Sequence, residues 1–276
     1  MRVMTFNIRG FRRDAGTPNA WRKRVRSNVE AILRCDPDVI GLQECQPGNL
    51  KAYRRRLPDY GRIPGPEYGN RPPHDFNAIL FHGSRLEVIE SGGFWLSETP
   101  ERYSRSWETR VARSANWVLF RQLADGGTFL HLNTHLDHRS KPARIEGSGL
   151  VVRKAAEIQS AFGDPPLVIT GDFNCIPGSH PYRNFAEAGF TDAYLAAGNE
   201  DHDDVHTFHN FRGESFVPRR GRSPKRLDWI LFNDPQGRVQ AESCRIVRYR
   251  DEESGTFPSD HYPVVADLSF RESGTG

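Results

Sequence analysis

The sequence predicts an α/β protein built as a four-layer α/β sandwich, with two mixed β-sheets packed face to face and helices on the outside. Three observations predict it. Strand and helix patterns mix without the strict alternation that a simple parallel sheet requires. The middle of the chain reads as a meander of strands with no helix between them. And 276 residues, 37% hydrophobic and 11% aromatic, are enough for one large layered core. No repeat of about 20 to 50 residues and no linker divides the chain. A single domain over residues 1–270 is therefore expected, with "RESGTG" (271–276) as a frayed tail.

"RVMTFNI" (2–8) alternates as a strand, and a helix follows from about Ala20 to Arg34, with Val25, Val29, Ile32 and Leu33 at helical spacing until Asp36 and Pro37 stop it. "DVIGL" (38–42) is a short buried strand, and a helix opens at Pro47 and runs to about Arg56. Strands are expected near 76–82, 85–95, 114–123 and 127–134, the last two joined by the hairpin turn "ADGG". A helix is expected over 143–162, a strand over "LVIT" (167–170), weak helix over 179–188, and strands near 225–233, 243–248 and 262–270.

Composition excludes several classes. No apolar run approaches the roughly 18 to 20 residues of a membrane span, and no export signal is visible; a cytoplasmic monomer is expected. Cys35, Cys45, Cys175 and Cys244 lie far apart, with no CxxC pair, so neither a disulfide framework nor a structural zinc site is indicated. The net charge of +3 is compatible with phosphate-bearing substrates and far from that of a nucleic-acid coat protein. Two local basic runs stand out, "WRKRVR" (21–26) and "RRGRSPKR" (219–226).

The polar residues that follow strands carry the chemistry: Asn7, Glu44, His135, Asp172, Asn174, Asp228, Asp260 and His261. Taken singly, each has an ordinary explanation as a turn former or helix cap; "GDFN" alone is an Asx turn. Together, four carboxylates and two histidines at strand exits would repel one another unless a cation or phosphate chemistry organised them. Carboxylate and amide oxygens without a thiolate at metal spacing favour Mg²⁺, with Mn²⁺ as the alternative.

"TFNIRG", "GLQE", "NTHLDH", "GDFN", "RLDWILF" and "SDHYPV" stand in one order between Thr5 and Val264. In that order they resemble the endonuclease/exonuclease/phosphatase superfamily, and "GFWLSETPE" (93–101), Trp107 and "TFHNF" (207–211) bring the chain nearest to a bacterial group within it. The resemblance implies a deoxyribonuclease-like fold and a Mg²⁺-dependent phosphoric ester hydrolase. It implies Glu44 as principal metal ligand with Asn7 and Asp260 nearby, Asp172 at the attacking water and Asn174 on a phosphate oxygen. His261 would pair with Asp228 and contact phosphate and water, and His135 would stabilise the transition state. Asp172 and His261 both remain candidates for the formal base. On an extended segment Asp172 and Asn174 would face the same side, with Phe173 turned into the core.

Substrate contacts are expected from Arg24, His138, Arg144, Arg226 with its basic loop, and Trp107, although Trp107 and Trp21 have packing as the competing explanation. The family's glutamate before the strand "DFNAILF" is here Asp75, whose role stays open, with Asn77 the weaker occupant. The expected reaction is attack of an activated water on a phosphodiester, as in a nuclease or phosphodiesterase. The alternative is a phosphatase for a small phosphorylated metabolite, sugar or lipid head group. The partner is a phosphate-ester substrate in either case, with nucleic acid among the candidates. Retention of the whole acid–base set argues against a phosphate-binding module without activity.

Overall fold

The computed structural model describes residues 1–65, 77–217 and 226–270. In chain order the elements are β1 (Arg2–Asn7), α1 (Trp21–Cys35), β2 (Val39–Gln43), α2 (Pro47–Arg56), β3 (Tyr60–Ile63), β4 (Ile79–His82), β5 (Leu86–Trp95), β6 (Ser114–Gln122), β7 (Thr128–His135), α3 (Lys141–Ala161), β8 (Leu167–Asp172), α4 (His180–Glu187), β9 (Thr191–Asp192), α5 (Ala193–Ala196), β10 (Asp228–Asn233), β11 (Val239–Ile246) and β12 (Val264–Phe270). One six-stranded sheet runs β11-β12-β1-β2-β4-β3 and the other β5-β6-β7-β8-β10-β9. Both are mixed: β1 pairs β2 in parallel and β7 pairs β8 in parallel, while every other pairing is antiparallel. The two packed mixed sheets are those expected from the sequence.

Strand parity sorts the side chains into layers. Val3, Val39, Ile79, Phe120, Phe129, Val168, Ile230 and Val264, drawn from both sheets, form the central core. The residues between them face outward: Met4, Phe6, Ile40 and Leu42 meet Val29, Ile32 and Tyr53 of α1 and α2. On the other flank Leu130, Leu132, Ile169 and Trp229 meet Leu150, Val151 and Phe185 of α3 and α4. α1 ends where Asp36 turns left-handed at φ 46° and its N–H caps the Ile32 carbonyl. α3 begins at Ser140, whose hydroxyl accepts the Ala143 N–H. Leu33, assigned from its spacing to the apolar face of α1, is 55% exposed.

Towards the strand ends the inner layer turns polar. Gln43 Nε2 donates to Thr5 Oγ1 and to Asn133 Oδ1, at 3.1 and 2.7 Å, which ties one sheet to the other. Asn133 Nδ2 donates across to the Leu42 and Ala78 carbonyls. Gly41 is obligatory beneath this network, because a Cβ there would sit 2.0 Å from Thr170 Oγ1 and 2.6 Å from Asn133 Oδ1. Gln43 Nε2 and Asn133 are matched across the layer, while Gln43 Oε1 is left without a hydrogen bond, and the network fixes how the sheets register.

Candidate active site

One pleat above that network the same parity brings out Asn7, His135, Asp172 and Asp228. Register does the rest. On adjacent strands β7, β8 and β10, His135 lies opposite Asp172 and Asp172 lies opposite Asp228. Asn7 reaches them from the other sheet: its Nδ2 donates to Asp172 Oδ2 at 2.9 Å and to Glu44 Oε1 at 3.3 Å, while its Oδ1 accepts the Arg9 N–H. Asp260 and His261 arrive on the segment before β12, held by Thr207–Asn210: Tyr262 N–H donates to the Thr207 carbonyl, and the His209 and Asn210 N–H groups donate to the Asp260 carbonyl.

His261 Nδ1 lies 2.8 Å from Asp228 Oδ2, and its Nε2 lies 3.8 Å from Asp172 Oδ2. Burial alone would push the His261 imidazolium down, but Asp228, Asp172 and Asp260 together raise its pKa well above the ordinary value. Burial and the neighbouring Asp228 charge hold the Asp172 carboxyl well above the usual carboxylate range. His135 is driven the other way, first by burial and then by the Arg113 charge. Arg113 Nη1 donates to His135 Nδ1 at 2.9 Å. A guanidinium only donates, so His135 is neutral with its proton on Nε2, 3.3 Å from Asp172 Oδ2.

Backbone strain gathers here. Arg9, Glu44 and Asn174 are non-glycine residues at φ 58°, 57° and 49°, each costing about 1 kcal/mol or more. Gly10, at φ 45°, packs against the Glu44 carbonyl, and Gln46 Oε1 accepts the Phe11 and Arg12 N–H groups, so the loop after β1 is locked onto the turn after β2. Asn174 differs from the expected extended segment. Asp172 Oδ1 accepts the Asn174 N–H, an Asx turn, and the left-handed residue swings its amide 2.9 Å from His135 Nε2. Phe173 does turn inward and stacks on Trp229 at 4.3 Å.

These groups line a cavity of about 230 Å³ with Arg9, Arg13, Glu44, Arg113, His138, Phe208 and Leu227. Two larger grooves, of about 300 and 410 Å³, hold none of these residues. Arg9 Nη1 pairs with Asp260 Oδ2 at 3.1 Å and Arg13 Nε with Glu44 Oε2 at 2.8 Å. The donor set fits a hard divalent cation: Glu44 and Asp260 supply nearly buried carboxylates, and Asn7 Oδ1 would join them by an amide turn. Asp172, Asp228 and His261 also bring ligand atoms within 4.8 Å of one another. Within that trio His261 Nδ1 is hydrogen-bonded to Asp228 Oδ2, while Asp172 Oδ2 lies 3.8 Å from His261 Nε2.

Four expected substrate contacts lie elsewhere. Arg24 is fully buried, and its guanidinium is spent on the carbonyls of Ile8, Arg9, Gly10, Asn19 and Pro258. Arg226 is buried between Asp192 and Asp201. Trp107 packs on the outer core of the second sheet with its carbonyl held by Ser140 Oγ, and Arg144 Nη1 caps the Asp137 carbonyl. Of the five, only His138 lines the cavity, with its Nδ1 3.3 Å from Arg113 Nη2. Trp21 belongs to the core, and Asn77 bonds the Ser114 carbonyl. Asp75, residues 219–225 of the basic run and the tail 271–276 lie outside the described residues. Arg9, Arg13 and Arg113 went unnoticed in the sequence; Arg9 sits inside "TFNIRG", whereas nothing marks Arg13 or Arg113 among 38 basic residues.

Comparison with known proteins agrees with the fold. The structure superposes on the mannosyl-6-phosphatase of Bacteroides thetaiotaomicron with a TM-score of 0.87 at 29% identity, covering 98% of this chain and 100% of that one. It superposes on the human Nocturnin catalytic domain, solved with a sulfate anion, with a TM-score of 0.74 at 23% identity, covering 98% and 94%. In sequence, Nocturnin of Xenopus laevis is 26% identical over 98% of this chain and 73% of its own length. Drosophila melanogaster protein angel is 28% identical over 59% of this chain, an alignment that spans only 46% of that protein. Residues 4–261 match the endonuclease/exonuclease/phosphatase family, and the chain belongs to it.

Proposed function

We propose that this chain is a Mg²⁺-dependent hydrolase of a small phosphomonoester of the sugar-phosphate class. The observation that carries the reading is the cavity around Asp172. Its volume of about 230 Å³ is walled by three guanidinium groups, Arg9, Arg13 and Arg113. A site for a drug-sized ligand runs from roughly 300 to 1,000 Å³. A smaller pocket that sets three guanidinium groups beside Glu44, Asp172 and Asp260 suits one dianionic phosphoryl group, with its metal, and one ring attached. The mannosyl-6-phosphatase likeness, the higher of the two TM-scores reported, supports the same class. The phosphodiester reading leaned on the basic run ending at Arg226, and Arg226 is committed to Asp192, which is buried, and to Asp201.

A bound Mg²⁺, held by Glu44 and Asp260 with Asn7 beside them, would neutralise charge on the phosphoryl and leaving oxygens. Asp172, with its raised proton affinity, accepts a proton from the attacking water and orients it through an oxygen that Asn7 already fixes. Protonated His261, held by Asp228, faces the same water and the phosphoryl oxygens with its free Nε2–H. Neutral His135 carries its Nε2–H 3.3 Å from Asp172 Oδ2 at the cleft, and the Asn174 amide beside it donates to the Leu136 carbonyl. Arg113 carries the charge that keeps His135 in that form while presenting its own donors to the phosphate.

The test is a kcat/KM panel in Mg²⁺ with hexose 6-phosphates, bis-p-nitrophenyl phosphate, single-stranded DNA and RNA, each at low and moderate salt. Hexose phosphate should lead and change little with salt. Leading nucleic-acid cleavage that falls by orders of magnitude with salt would replace this reading with the nuclease one.

A further inference from the structure

Arg13 stands out because it bridges two roles that exclude each other. Its Nε lies 2.8 Å from Glu44 Oε2, on a carboxylate 12% exposed, while its own side chain is 47% exposed on the loop after β1. It also lines the cavity opposite His135 and His138, and its charge helps lower the proton affinity of both. Arg9 is held differently. Its guanidinium is clamped by Asp14 at 3.0 Å as well as by Asp260 at 3.1 Å, so it is anchored at its base.

Resting on the proposed metal-dependent phosphohydrolase, we infer that Arg13 is the resident counter-ion of Glu44, displaced when a divalent cation binds, and that the displaced guanidinium then pairs with the substrate phosphoryl group. One side chain thus couples metal binding to phosphate binding. Three arguments support it. A dication on Glu44 and a guanidinium at 2.8 Å from the same carboxylate repel each other, so one must leave. The arginine is the one that can leave, because a long, half-exposed side chain gives up little in an ion pair near solvent. And it has somewhere to go: a phosphoryl group bound in the cavity that Arg13 already lines would replace Glu44 as its anion. The planar donor fork then meets phosphoryl oxygens in the bidentate geometry that guanidinium favours.

The test is isothermal titration of the whole chain and of Arg13→Gln, first with Mn²⁺ alone and then with inorganic phosphate on the Mn²⁺-loaded protein. Losing the competitor should tighten Mn²⁺ binding by roughly three- to tenfold. Losing the phosphate partner should weaken phosphate binding by roughly five- to tenfold. Changes of opposite sign from one substitution are the signature, since a merely structural Arg13 would weaken both together. Arg13→Lys should keep Mn²⁺ binding near that of the parent chain, and melting temperatures report that each variant is folded. Unchanged or weaker Mn²⁺ binding in Arg13→Gln overturns the inference while leaving the hydrolase reading intact. Failure of the parent chain to bind Mn²⁺ at all overturns both.

Discussion

Arg24 separates a structural from a substrate role by a measurement of stability. Its Nη1 donates to the Ile8 and Pro258 carbonyls at 2.8 Å each, its Nη2 to Arg9 and Gly10 at 2.6 and 3.2 Å, and its Nε to Asn19 at 2.7 Å. It thereby staples the loop after Asn7 to the segment before Asp260. Burial brings its pKa down to about 10, so it stays charged at neutral pH. Arg24→Met fills much of the volume but leaves the Ile8 and Gly10 carbonyls buried without the Arg24 donor, while the Pro258 carbonyl keeps Asn28 Nδ2 at 3.3 Å. An orphaned buried acceptor costs about 1–3 kcal/mol. Allowing for relaxation, the two together predict a loss of about 3 kcal/mol in urea denaturation at pH 7. A fall in kcat should follow, as Asn7 and Asp260 lose their common anchor. A loss below about 1 kcal/mol, an ordinary surface effect, with only KM raised, would refute the reasoning and return Arg24 to the substrate.

Arg226→Met should lower stability by about 3–5 kcal/mol, because Asp192 and Asp201 lose their partner, yet leave KM unchanged at a permissive temperature; a raised KM in a stable protein would contradict that. Arg113→Met should release His135 from its single tautomer, read from imidazole ¹⁵N shifts, and lower kcat by about ten- to a hundredfold; unchanged shifts would remove Arg113 from its positioning role. His131, fully buried with Nε2 2.9 Å from Thr170 Oγ1, is pushed down to about 3 by burial. The unfolded chain takes up that proton near pH 6.5, so the stability tied to neutral His131 is complete above about pH 6.5 and is lost as pH falls toward 3. Between pH 6.5 and 4.5 this group should account for about 2 kcal/mol, and His131→Gln should flatten the slope; equal slopes would exclude it as the cause.

The layered fold was legible because strand periodicity survives in "RVMTFNI" and "LVIT", and because the 76–134 meander leaves no room for helices. The short β3 and β9 were not, since four and two residues carry no period. That the polar residues at strand exits converge was legible from their position, and the structure adds the reason: parity and register put His135, Asp172 and Asp228 side by side. Arginines misled in both directions. Arg24 and Arg226 are buried and spent on carbonyls and aspartates, whereas Arg13 and Arg113 reach the cavity from loops and strand starts with no motif to announce them. A guanidinium reports its role through its partners, and partners of such sequence separation are not written in local pattern. The Asn174 geometry failed for a related reason, because the Asp172 side chain redirected the backbone into a left-handed turn.

The most direct measurement is the rate of phosphate release from a hexose 6-phosphate in saturating Mg²⁺ by the parent chain and by Asp172→Asn. Removing a general base costs roughly 10²- to 10⁴-fold, and asparagine keeps the size and the bond from the Asn174 N–H. The account predicts a loss in that range in kcat, with the fold and the urea midpoint retained. A folded Asp172→Asn variant with the parent rate would contradict it.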